Sequence, residues 1–587
     1  MSIMDPNLVT YFAETDARNK KIMFGIKAKD RLKHVYVIGK TGMGKSTLLE
    51  NMAIQDIQNG NGIAFIDPHG GSAERLLDYV PESRIKDVLY FAPFDLEHPV
   101  SFNVMEDIGV DKRHLVVNGL MSAFEKIWVD AWSARMAYIL NNTLLALLEF
   151  PGATLLGVNR MLSDKDYRKK VVDNVKDPSV RSFWVDEFAK YTERFAAEAT
   201  PAIQNKVGQF TSNPLVRNII GQSLSSFDVR KFMDQKKILI INLSKGKVGE
   251  GNANLLGSLL ITKIYLAAMS RADASDSELA KLPNFYLYVD EFQSFANKSF
   301  ADILSEARKY KLNLTIAHQY IEQMEEEVRD AVFGNVGTMV TFRVGAFDAE
   351  VLEKEFAPTF TAEDLVNLGF AQIYLKLMID GVSSQPFSAT TLPLLSPPDK
   401  SFRTEVIKNS REQFAKPRAV VEKNIVDWHA PNIVLREARM VGEKPVMQNS
   451  NSSNSFSKSI ETQKELNDNK TAFLRVAEEL KQKERIKKEK DKQNADRNAL
   501  IEAERKKQEL MRSSKKNPSQ ENMSGLKSAL AGVLNKKSEK PAEIKTEKNT
   551  SSISPERSEG NKSYKATATT EVPEDVLRNL LKMDDQK

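Results

Sequence analysis

Residues 34–57 read HVYVIGKTGMGKSTLLENMAIQDI, and this stretch decides the fold class of the chain. It starts with an apolar run, HVYVI, that is typical of a buried strand, and it ends with a helical stretch, STLLENMAIQDI. Between them, GKTGMGKS fits the pattern GxxxxGK[ST], whose glycines let backbone N–H groups converge on phosphates. A strand, such a loop and a helix in direct succession predict a P-loop nucleotide-binding site.

The predicted nucleotide-binding residues are those of the loop and the start of the helix. Lys45 would supply a point charge to the β- and γ-phosphates of ATP, and Ser46 would bind Mg²⁺. The N-terminus of the helix adds its dipole. A chance match is the alternative, but a chain of this length shows the pattern at random with a probability of only about a few per cent. The full set is Gly39, Lys40, Thr41, Gly42, Met43, Gly44, Lys45, Ser46 and Thr47.

Short apolar runs alternate with helical stretches from residue 34 onward, which is typical of a parallel sheet with crossover helices. The sequence therefore predicts an α/β fold with a parallel-rich central sheet. About 33 residues precede the first predicted strand. The predicted strands cover residues 34–38, 62–67, 87–91, 237–242, 284–289, 312–317 and 337–343, with another near 371–379.

The run FYLYVDE at residues 285–291 is the expected partner of the loop, because it is a buried strand that ends in two carboxylates. Asp290 would hold Mg²⁺ through its water shell, and Glu291 would polarise the attacking water. The alternative is a strand that ends in a solvated Asp-Glu pair. A second carboxylate distinguishes a hydrolase from a nucleotide-triggered switch, which needs no fast general base. The residues therefore predict an ATP hydrolase.

Other polar residues follow or precede predicted strands. The run LNLTIA delivers His318 and Gln319 to the sheet edge where ligands collect, so Gln319 can sense the γ-phosphate. His318 fits a structural or hydrogen-bonding role better than that of a base. Arg308 and Arg343 are candidate arginine fingers supplied by a neighbouring subunit, and a surface salt bridge is the alternative for each.

Two further segments stay open between a functional and a structural interpretation. Asp67, in DPHGG, could assist metal or water placement near the loop, but a strand-ending Asp before Pro and Gly is also ordinary turn chemistry. The segment SKGKVGEG at residues 244–251 could contact a phosphate backbone or simply connect two elements, and the connector is favoured.

The predicted strands stop between Asp111 and about Gln235, where helical segments rich in Leu, Phe and Trp predict an inserted all-α domain. The tail begins with a polar low-complexity linker and a Lys/Glu-rich helix, whose sparse apolar positions favour a solvated single helix over a coiled coil. We divide the chain into residues 1–110 and 236–430 for the ATPase domain, 111–235 for the insertion, 431–465 for the linker, 466–512 for the charged helix, and 513–587 for a mostly disordered tail with a terminal helix at 573–583.

Charge and composition limit the partners and the compartment. Residues 431–587 hold 33 Lys and Arg against 25 Asp and Glu, which gives this tail a net charge of +8. Because the whole chain has a net charge of +5, residues 1–430 carry −3. Nucleic-acid binding by the core would therefore need a local basic patch. The chain has no cysteine, which excludes disulfides and thiolate sites and fits a reducing compartment.

The sequence predicts a cytoplasmic protein with no integral membrane segment. Its start lacks the basic patch, apolar run and cleavage site of a secretory signal. The most apolar long stretch, residues 255–268, is short for a span and is interrupted by Lys263, so it indicates a buried helix. The amphipathic end PEDVLRNLLKM is a candidate docking peptide for protein partners.

These motifs, taken in order over residues 23–390, resemble a known family: the conjugative coupling proteins of type IV secretion, of the TraD/TraG type, within the HerA/FtsK group of pumping ATPases. The resemblance covers about two thirds of the chain. The stretches that carry it are HVYVIGKTGMGKSTLL, GIAFIDPHG, the FNV of residues 102–104, FYLYVDEFQSF, ILSEARKYKLNLTIAHQ and FGNVGTMVTFRVGAFDAEVL.

The resemblance implies a RecA-like motor domain with an inserted all-α domain, assembled as a homo-oligomeric ring, a hexamer, that moves DNA through a central channel with ATP and Mg²⁺. Family members usually begin with a membrane anchor, which the polar start here does not match. A peripheral position at a membrane-bound secretion complex is therefore expected. The residues that match family positions are Lys45, Ser46, Asp290, Glu291, Gln319 as the sensor, and Arg308 as the finger.

Two functions other than DNA translocation remain open from the sequence. One is an ATPase that recruits or moves protein substrates for secretion without binding DNA, using the tail to bind partners. The other is a nucleotide-gated scaffold without enzymatic activity, against which the intact Glu291 argues.

Overall fold

The protein is built around a mixed eleven-stranded sheet with helices packed on both of its faces. The structure is a computed structural model that describes residues 5–16, 20–106, 109–128 and 131–440, without the side chains of residues 193–199, 298–299 and 430–440. The predicted linker, charged helix and tail, from residue 441 onward, lie outside the described residues.

The strands of the large sheet are short, and β11 and β12 form a separate two-stranded ribbon. The strands are β1 Val9–Thr15, β2 Met23–Lys27, β3 Val35–Ile38, β4 Gly62–Asp67, β5 Val88–Phe91, β6 Ile238–Asn242, β7 Phe285–Val289, β8 Leu312–His318, β9 Thr338–Thr341, β10 Gln372–Lys376, β11 Met378–Ile379, β12 Val382–Ser383 and β13 Phe387–Thr391.

The α-helices of the described residues connect the strands or lie between β5 and β6. They are α1 Lys45–Gln58, α2 Gly71–Leu76, α3 Arg113–Ile127, α4 Ala134–Leu148, α5 Leu156–Ser163, α6 Lys165–Asn174, α7 Pro178–Ser182, α8 Glu193–Thr211, α9 Pro214–Ile220, α10 Val229–Asp234, α11 Lys245–Val248, α12 Glu250–Met269, α13 Asp276–Lys281, α14 Lys298–Glu306, α15 Glu326–Asn335, α16 Ala346–Phe356, α17 Ala362–Asn367, α18 Arg403–Phe414 and α19 Arg418–Met440.

The strand order is β2-β1-β13-β10-β9-β3-β8-β7-β4-β6-β5, and all neighbours from β9 to β5 pair in parallel. The predicted α/β fold with a parallel-rich central sheet is confirmed. In register, Ile38 of β3 pairs with His318 of β8, and Val289 of β7 pairs with Ile316. The carboxyl ends of β3, β8 and β7 therefore meet at one edge of the sheet.

The expectation that the first strand begins at residue 34 is wrong. The hairpin of β1 and β2 precedes it, and β13 pairs with β1 to extend the sheet with antiparallel strands. These strands were missed because antiparallel edge strands are partly solvated and mix polar with apolar residues, whereas buried parallel strands are continuous apolar runs. Met23, for example, is exposed in β2.

The segment between β5 and β6 is helical, from α3 to α10. Its buried side chains belong to the same hydrophobic cluster as one face of the sheet, where Phe124 of α3 joins Leu239 of β6 and Leu260 of α12. The exception is Leu156 of α5, which packs in a small cluster with residues of α19. The helical segment therefore has no core separate from that face among the described residues. The domain boundaries themselves stay a prediction.

One helical stretch of the described residues, Glu250–Asp273, is long and apolar enough to cross a membrane by length and composition alone. Its most apolar window is 67% buried, and α12 packs against α3 and α10. A buried core helix meets the same criteria, and the buried helix predicted for residues 255–268 is confirmed.

A buried ion pair joins the 3-10 helix Asp30–Lys33, which precedes β3, to the helix that follows the P-loop. Both terminal guanidinium nitrogens of Arg31 donate to the carboxylate of Asp56 at 2.9 Å, and Arg31 also donates to the hydroxyl of Tyr288 at 2.7 Å and to Thr10 at 3.1 Å. Arg31 and Asp56 are both fully enclosed. The network ties β1, α1 and β7 together behind the P-loop.

Replacing Asp56 by Ala should therefore be strongly destabilising, because it leaves the Arg31 guanidinium buried without its carboxylate. We expect the free energy of unfolding to fall by about 3–5 kcal/mol, measured by chemical denaturation. The matched control is Asp173→Ala, which breaks an exposed pair with Lys169 and should leave the unfolding midpoint unchanged. A loss for Asp56→Ala no larger than that of the control would contradict the role of the pair.

Candidate nucleotide-hydrolysis site

The predicted phosphate loop lies at the sheet edge formed by the carboxyl ends of the parallel strands. It follows β3 and leads into α1, which begins at Lys45. The backbone N–H of Lys40 donates to the carbonyl of Arg343 at 2.8 Å, which fixes the loop against the segment after β9. The loop thus lies at the same sheet edge as Asp290, which follows β7, and Gln319, which follows β8.

Two glycines of the loop are required by its geometry. A Cβ atom on Gly39 would lie 2.5 Å from Cβ of the buried Phe342, so no larger residue fits without a shift. Gly44 precedes α1 with φ of +118°, a backbone conformation that favours glycine. The N–H groups of the first helical turn are left without helical partners, as in other anion-binding loops.

Lys45 is nearly enclosed within the loop. Its ammonium donates to the carbonyl oxygens of Gly39 at 2.6 Å and of Lys40 at 3.1 Å. Burial lowers the pKa of Lys45, while the carboxylates of Glu291 and Asp290 act in the opposite direction. The enclosed ammonium of Lys45 therefore interacts electrostatically with the two acidic residues.

Ser46 and Asp290, the two predicted metal-binding residues, are in direct contact. The Ser46 hydroxyl donates to Oδ2 of Asp290 at 2.9 Å. Asp290 is buried, and burial raises its pKa to about 6; the Ser46 hydrogen bond and Lys45 oppose this rise, and Glu291 and Asp67 add to it. A hydroxyl and a carboxylate are oxygen ligands that Mg²⁺ prefers, so this pair fits the predicted ion.

No cluster of three or more His, Asp or Glu residues suited to a metal ion occurs among the described residues. Mg²⁺ usually keeps several waters and takes only one or two carboxylates together with substrate phosphates. A site with one carboxylate and one hydroxyl is therefore the kind of site that would take this ion with a nucleotide.

Glu291 is held by an amide donor on each carboxylate oxygen. Gln319 donates to Oε1 with a short hydrogen bond, and Gln293 donates to Oε2 at 2.6 Å. Glu291 itself has φ of +48°, an uncommon left-handed conformation for a residue other than glycine. This backbone conformation starts the turn Phe292–Ser294 and aims the carboxylate back toward the loop.

Gln319 connects this carboxylate to the phosphate loop. The hydroxyl of Thr41 donates to Oε1 of Gln319 at 2.7 Å, while Nε2 of Gln319 donates to Glu291. The structure therefore brings Gln319 into contact with both Glu291 and Thr41 of the loop. A residue that senses the γ-phosphate needs such contacts. Their catalytic roles stay predictions.

His318 is buried and faces away from the loop. Its Nε2 lies 2.5 Å from the hydroxyl of Tyr36, and its ring packs against Phe292. Burial lowers the pKa of His318 to about 3, and Lys45 adds to this effect. A neutral, enclosed imidazole with this environment serves packing and hydrogen bonding and is not suited to act as a general base.

The low pKa of His318 makes stability depend on pH. In the unfolded chain His318 binds a proton near pH 6.5, whereas in the folded protein its pKa is about 3. The contribution of His318 to the free energy of unfolding is therefore intact above pH 6.5 and is lost as the pH falls. From pH 7.5 to 5 the loss from this residue is about 2 kcal/mol. His318→Gln should therefore lose less stability than the parent over this interval, measured by denaturant unfolding at both values.

His34 provides an internal reference in that comparison. Burial lowers its pKa to about 4, so it contributes a pH dependence of the same sign in both proteins. An identical loss of stability in parent and His318→Gln would show that His318 is not the residue that resists protonation.

The two candidate arginine fingers lie in different places. Arg308 is exposed in a short 3-10 helix, Ala307–Tyr310, that precedes β8, so it lies at the sheet edge opposite the phosphate loop. Arg343 lies beside its own loop and donates to the sulfur of Met43 at 3.3 Å. The structure therefore brings Arg343 to the site and leaves Arg308 away from it.

The two open segments acquire local structural roles. The carboxylate of Asp67 accepts from the N–H groups of His69 at 2.7 Å and Ala73 at 2.9 Å, so it organises the turn into α2. Residues 244–251 contain the helix α11, and Lys245 donates to Ser294 at 2.9 Å. This segment thus joins β6 to α12 through a short helix.

Sequence reasoning missed Gln293 and Phe342. Gln293 follows Glu291 by two residues in the quoted run DEFQS, and this spacing after a candidate catalytic acid was the available signal. Phe342 packs under the glycines of the loop, and only the fold brings its strand next to β3.

A family model described as the type IV secretion-system coupling protein DNA-binding domain matches residues 23–367, well over half of the chain. The chain belongs to this coupling-protein family. The predicted resemblance to the coupling proteins of type IV secretion is confirmed. Comparison with curated proteins found no match.

Solved structures similar to this coupling-protein chain include two of the plasmid coupling protein TrwB. The unbound monoclinic form is 14% identical and covers 65% of this chain and 88% of that one, with a TM-score of 0.48. The complex with ADP and Mg²⁺ is 15% identical over 65% and 89%, with a TM-score of 0.46. VirB4 of Thermoanaerobacter pseudethanolicus is 12% identical over 68% and 99%, with a TM-score of 0.44.

Proposed function

We propose that this protein is a DNA-translocating motor that hydrolyses ATP with Mg²⁺ and works as a homo-oligomeric ring, a hexamer, at a membrane-bound type IV secretion complex. The observation that carries the proposal is the chain of contacts from Thr41 through Gln319 to Glu291, next to the contact of Ser46 with Asp290. Membership of a family described by a DNA-binding domain supports DNA as the substrate that is moved.

In this mechanism the phosphate loop binds the nucleotide. The backbone N–H groups from Gly42 to Thr47 cradle the phosphates, and Lys45 exchanges its loop carbonyl partners for phosphate oxygens. Ser46 and Asp290 would hold Mg²⁺, which would neutralise charge that develops on the phosphates. Arg343, which donates to the sulfur of Met43, would contact the nucleotide of its own subunit.

Glu291 is the proposed general base. It would accept a proton from the attacking water as the water oxygen bonds to the γ-phosphorus and the bond from that phosphorus to the bridging oxygen breaks, leaving ADP and phosphate. Gln319, bonded to both Thr41 and Glu291, would report the state of the γ-phosphate to this base. Loss of the γ-phosphate would change the contacts of Thr41 and Gln319 first.

Arg308 is the proposed trans-acting finger. Because it is exposed at the sheet edge opposite its own phosphate loop, it can act only on the site of another subunit. A finger role for Arg308 would therefore need the proposed ring, in which each subunit would complete the site of its neighbour. The cytoplasmic face of the secretion complex is the proposed location.

The ATPase rate should depend on Lys45 and respond to DNA. We expect single- or double-stranded DNA to raise the hydrolysis rate severalfold at low salt, with steep loss of stimulation as salt increases because phosphate contacts release counterions. Lys45→Ala should abolish hydrolysis with and without DNA. The measurement is a phosphate-release assay over a salt series with each form of DNA.

Lys45-dependent hydrolysis that neither form of DNA changes would contradict the DNA motor. It would favour an ATPase that recruits or moves protein substrates, with partners bound by the region beyond residue 450.

Glu291→Gln should separate nucleotide binding from hydrolysis. The variant keeps the size of the side chain but removes the base, so we expect at least a 100-fold lower rate constant for hydrolysis, the order typical of removing a general base, with ATP affinity retained. Binding of a fluorescent ATP analogue and single-turnover hydrolysis test the two parts. A variant that hydrolyses ATP as fast as the parent would refute the role of Glu291.

A further inference from the structure

The turn that follows Glu291 contacts the carboxylate of that residue. Gln293, in the middle of the turn Phe292–Ser294, donates from Nε2 to Oε2 of Glu291 at 2.6 Å. Gln319 donates to the other carboxylate oxygen from a different strand end. A carboxylate that accepts one hydrogen bond on each oxygen has a single orientation. Each oxygen keeps a lone pair that can accept a proton from water.

The side chain of Gln293 is available for this contact because nothing else in the described residues competes for it. Its Oε1 is buried and accepts no hydrogen bond among those residues. A buried amide oxygen without a donor costs free energy. The side chain is therefore placed by its bond to Glu291 and not by a partner on its oxygen.

The turn itself is held from two sides. The ring of Phe292 is buried against His318 and Phe300. On the other side, Nζ of Lys245 in α11 donates to the hydroxyl of Ser294 at 2.9 Å. The residue next to Gln293 is thus bonded to the helix that follows β6.

We propose that Gln293 is a positioning residue that orients the carboxylate of Glu291, and that Lys245, through Ser294, holds the turn that carries Gln293. The proposal rests on the proposed ATPase function. It adds the amide of Gln293 to that of Gln319 as a donor that orients the carboxylate of Glu291. It also makes the helix after β6 a part of the hydrolysis site, although Lys245 is remote from the phosphate loop in sequence.

The first test is Gln293→Met in the full chain, which keeps the length of the side chain and removes the donor. We expect kcat for ATP to fall about tenfold with KM unchanged, the pattern of an interaction needed only for the chemical step. Gln323→Met, at an exposed position beyond Gln319, is the matched control and should keep the parent kcat.

The second test repeats Gln293→Met in a Glu291→Gln background. Because Gln293 acts through Glu291, the second substitution should lower single-turnover hydrolysis no further. The thermal unfolding midpoints of the parent, the two single variants and the double variant should likewise be non-additive, and this readout requires no hydrolysis.

The third test compares two lysines of α11. Lys245→Met should lower kcat in the same direction as Gln293→Met, by a smaller factor of about three, because it loosens the turn without removing the amide. Lys247→Met is the matched control, since Lys247 contacts Glu74 and the ring of Phe94 and not the turn. Its kcat should equal that of the parent.

The outcomes separate this inference from the proposed function. A parent rate that depends on Lys45, combined with a Gln293→Met rate equal to it, overturns the positioning role alone. An equal fold-loss in the parent and Glu291→Gln backgrounds also overturns it, because the residue would then act on structure in general. Absence of Lys45-dependent hydrolysis in the parent overturns the proposed function, and additive unfolding midpoints overturn the contact between Gln293 and Glu291.

Discussion

Parallel pairing of β3, β8 and β7 is the constraint on which the rest of the site depends. It brings the residues that follow three strands to one edge, where Thr41, Gln319 and Glu291 form a continuous set of hydrogen bonds. Because β8 lies between the other two strands, Gln319 is the residue that can touch both the phosphate loop and the acidic pair. A shift of β8 by one residue would turn Gln319 to the other face of the sheet.

Buried contacts also support this sheet edge from within the core. The buried Arg31–Asp56 pair ties α1 to β7 through Tyr288, so the helix that begins in the phosphate loop and the strand that ends in Asp290 share one anchor. The imidazole of His318 packs against Phe292, the residue after Glu291, and contacts the hydroxyl of Tyr36. Both features cost solvation, and the carboxylate of Asp56 and the hydroxyl of Tyr36 offset part of this cost. Nε of Arg31 and Nδ1 of His318 are buried without a hydrogen-bond partner among the described residues.

The helical segment from α3 to α10 extends the core on one side of the sheet, because its apolar side chains pack into the same cluster as the strands. Packing of this kind couples the two parts mechanically, since close-packed interiors transmit displacement. The link from Lys245 to Ser294 is a more local coupling, between the helix after β6 and the turn after Glu291. The shared core and the hydrogen bond from Lys245 to Ser294 thus connect the sheet with the α3–α10 segment and the turn after Glu291 with α11.

The sequence by itself determined the phosphate loop, the acidic strand end, the buried parallel strands and the family, because each is a local pattern whose residue types and spacing follow from its chemistry. Only the tertiary structure decided that Arg343 lies beside its own loop while Arg308 lies at the opposite edge, that β1, β2 and β13 extend the sheet, and that Gln293 grips Glu291. These depend on strand order and on backbone conformation at single residues such as Glu291, which residue spacing along the chain does not encode.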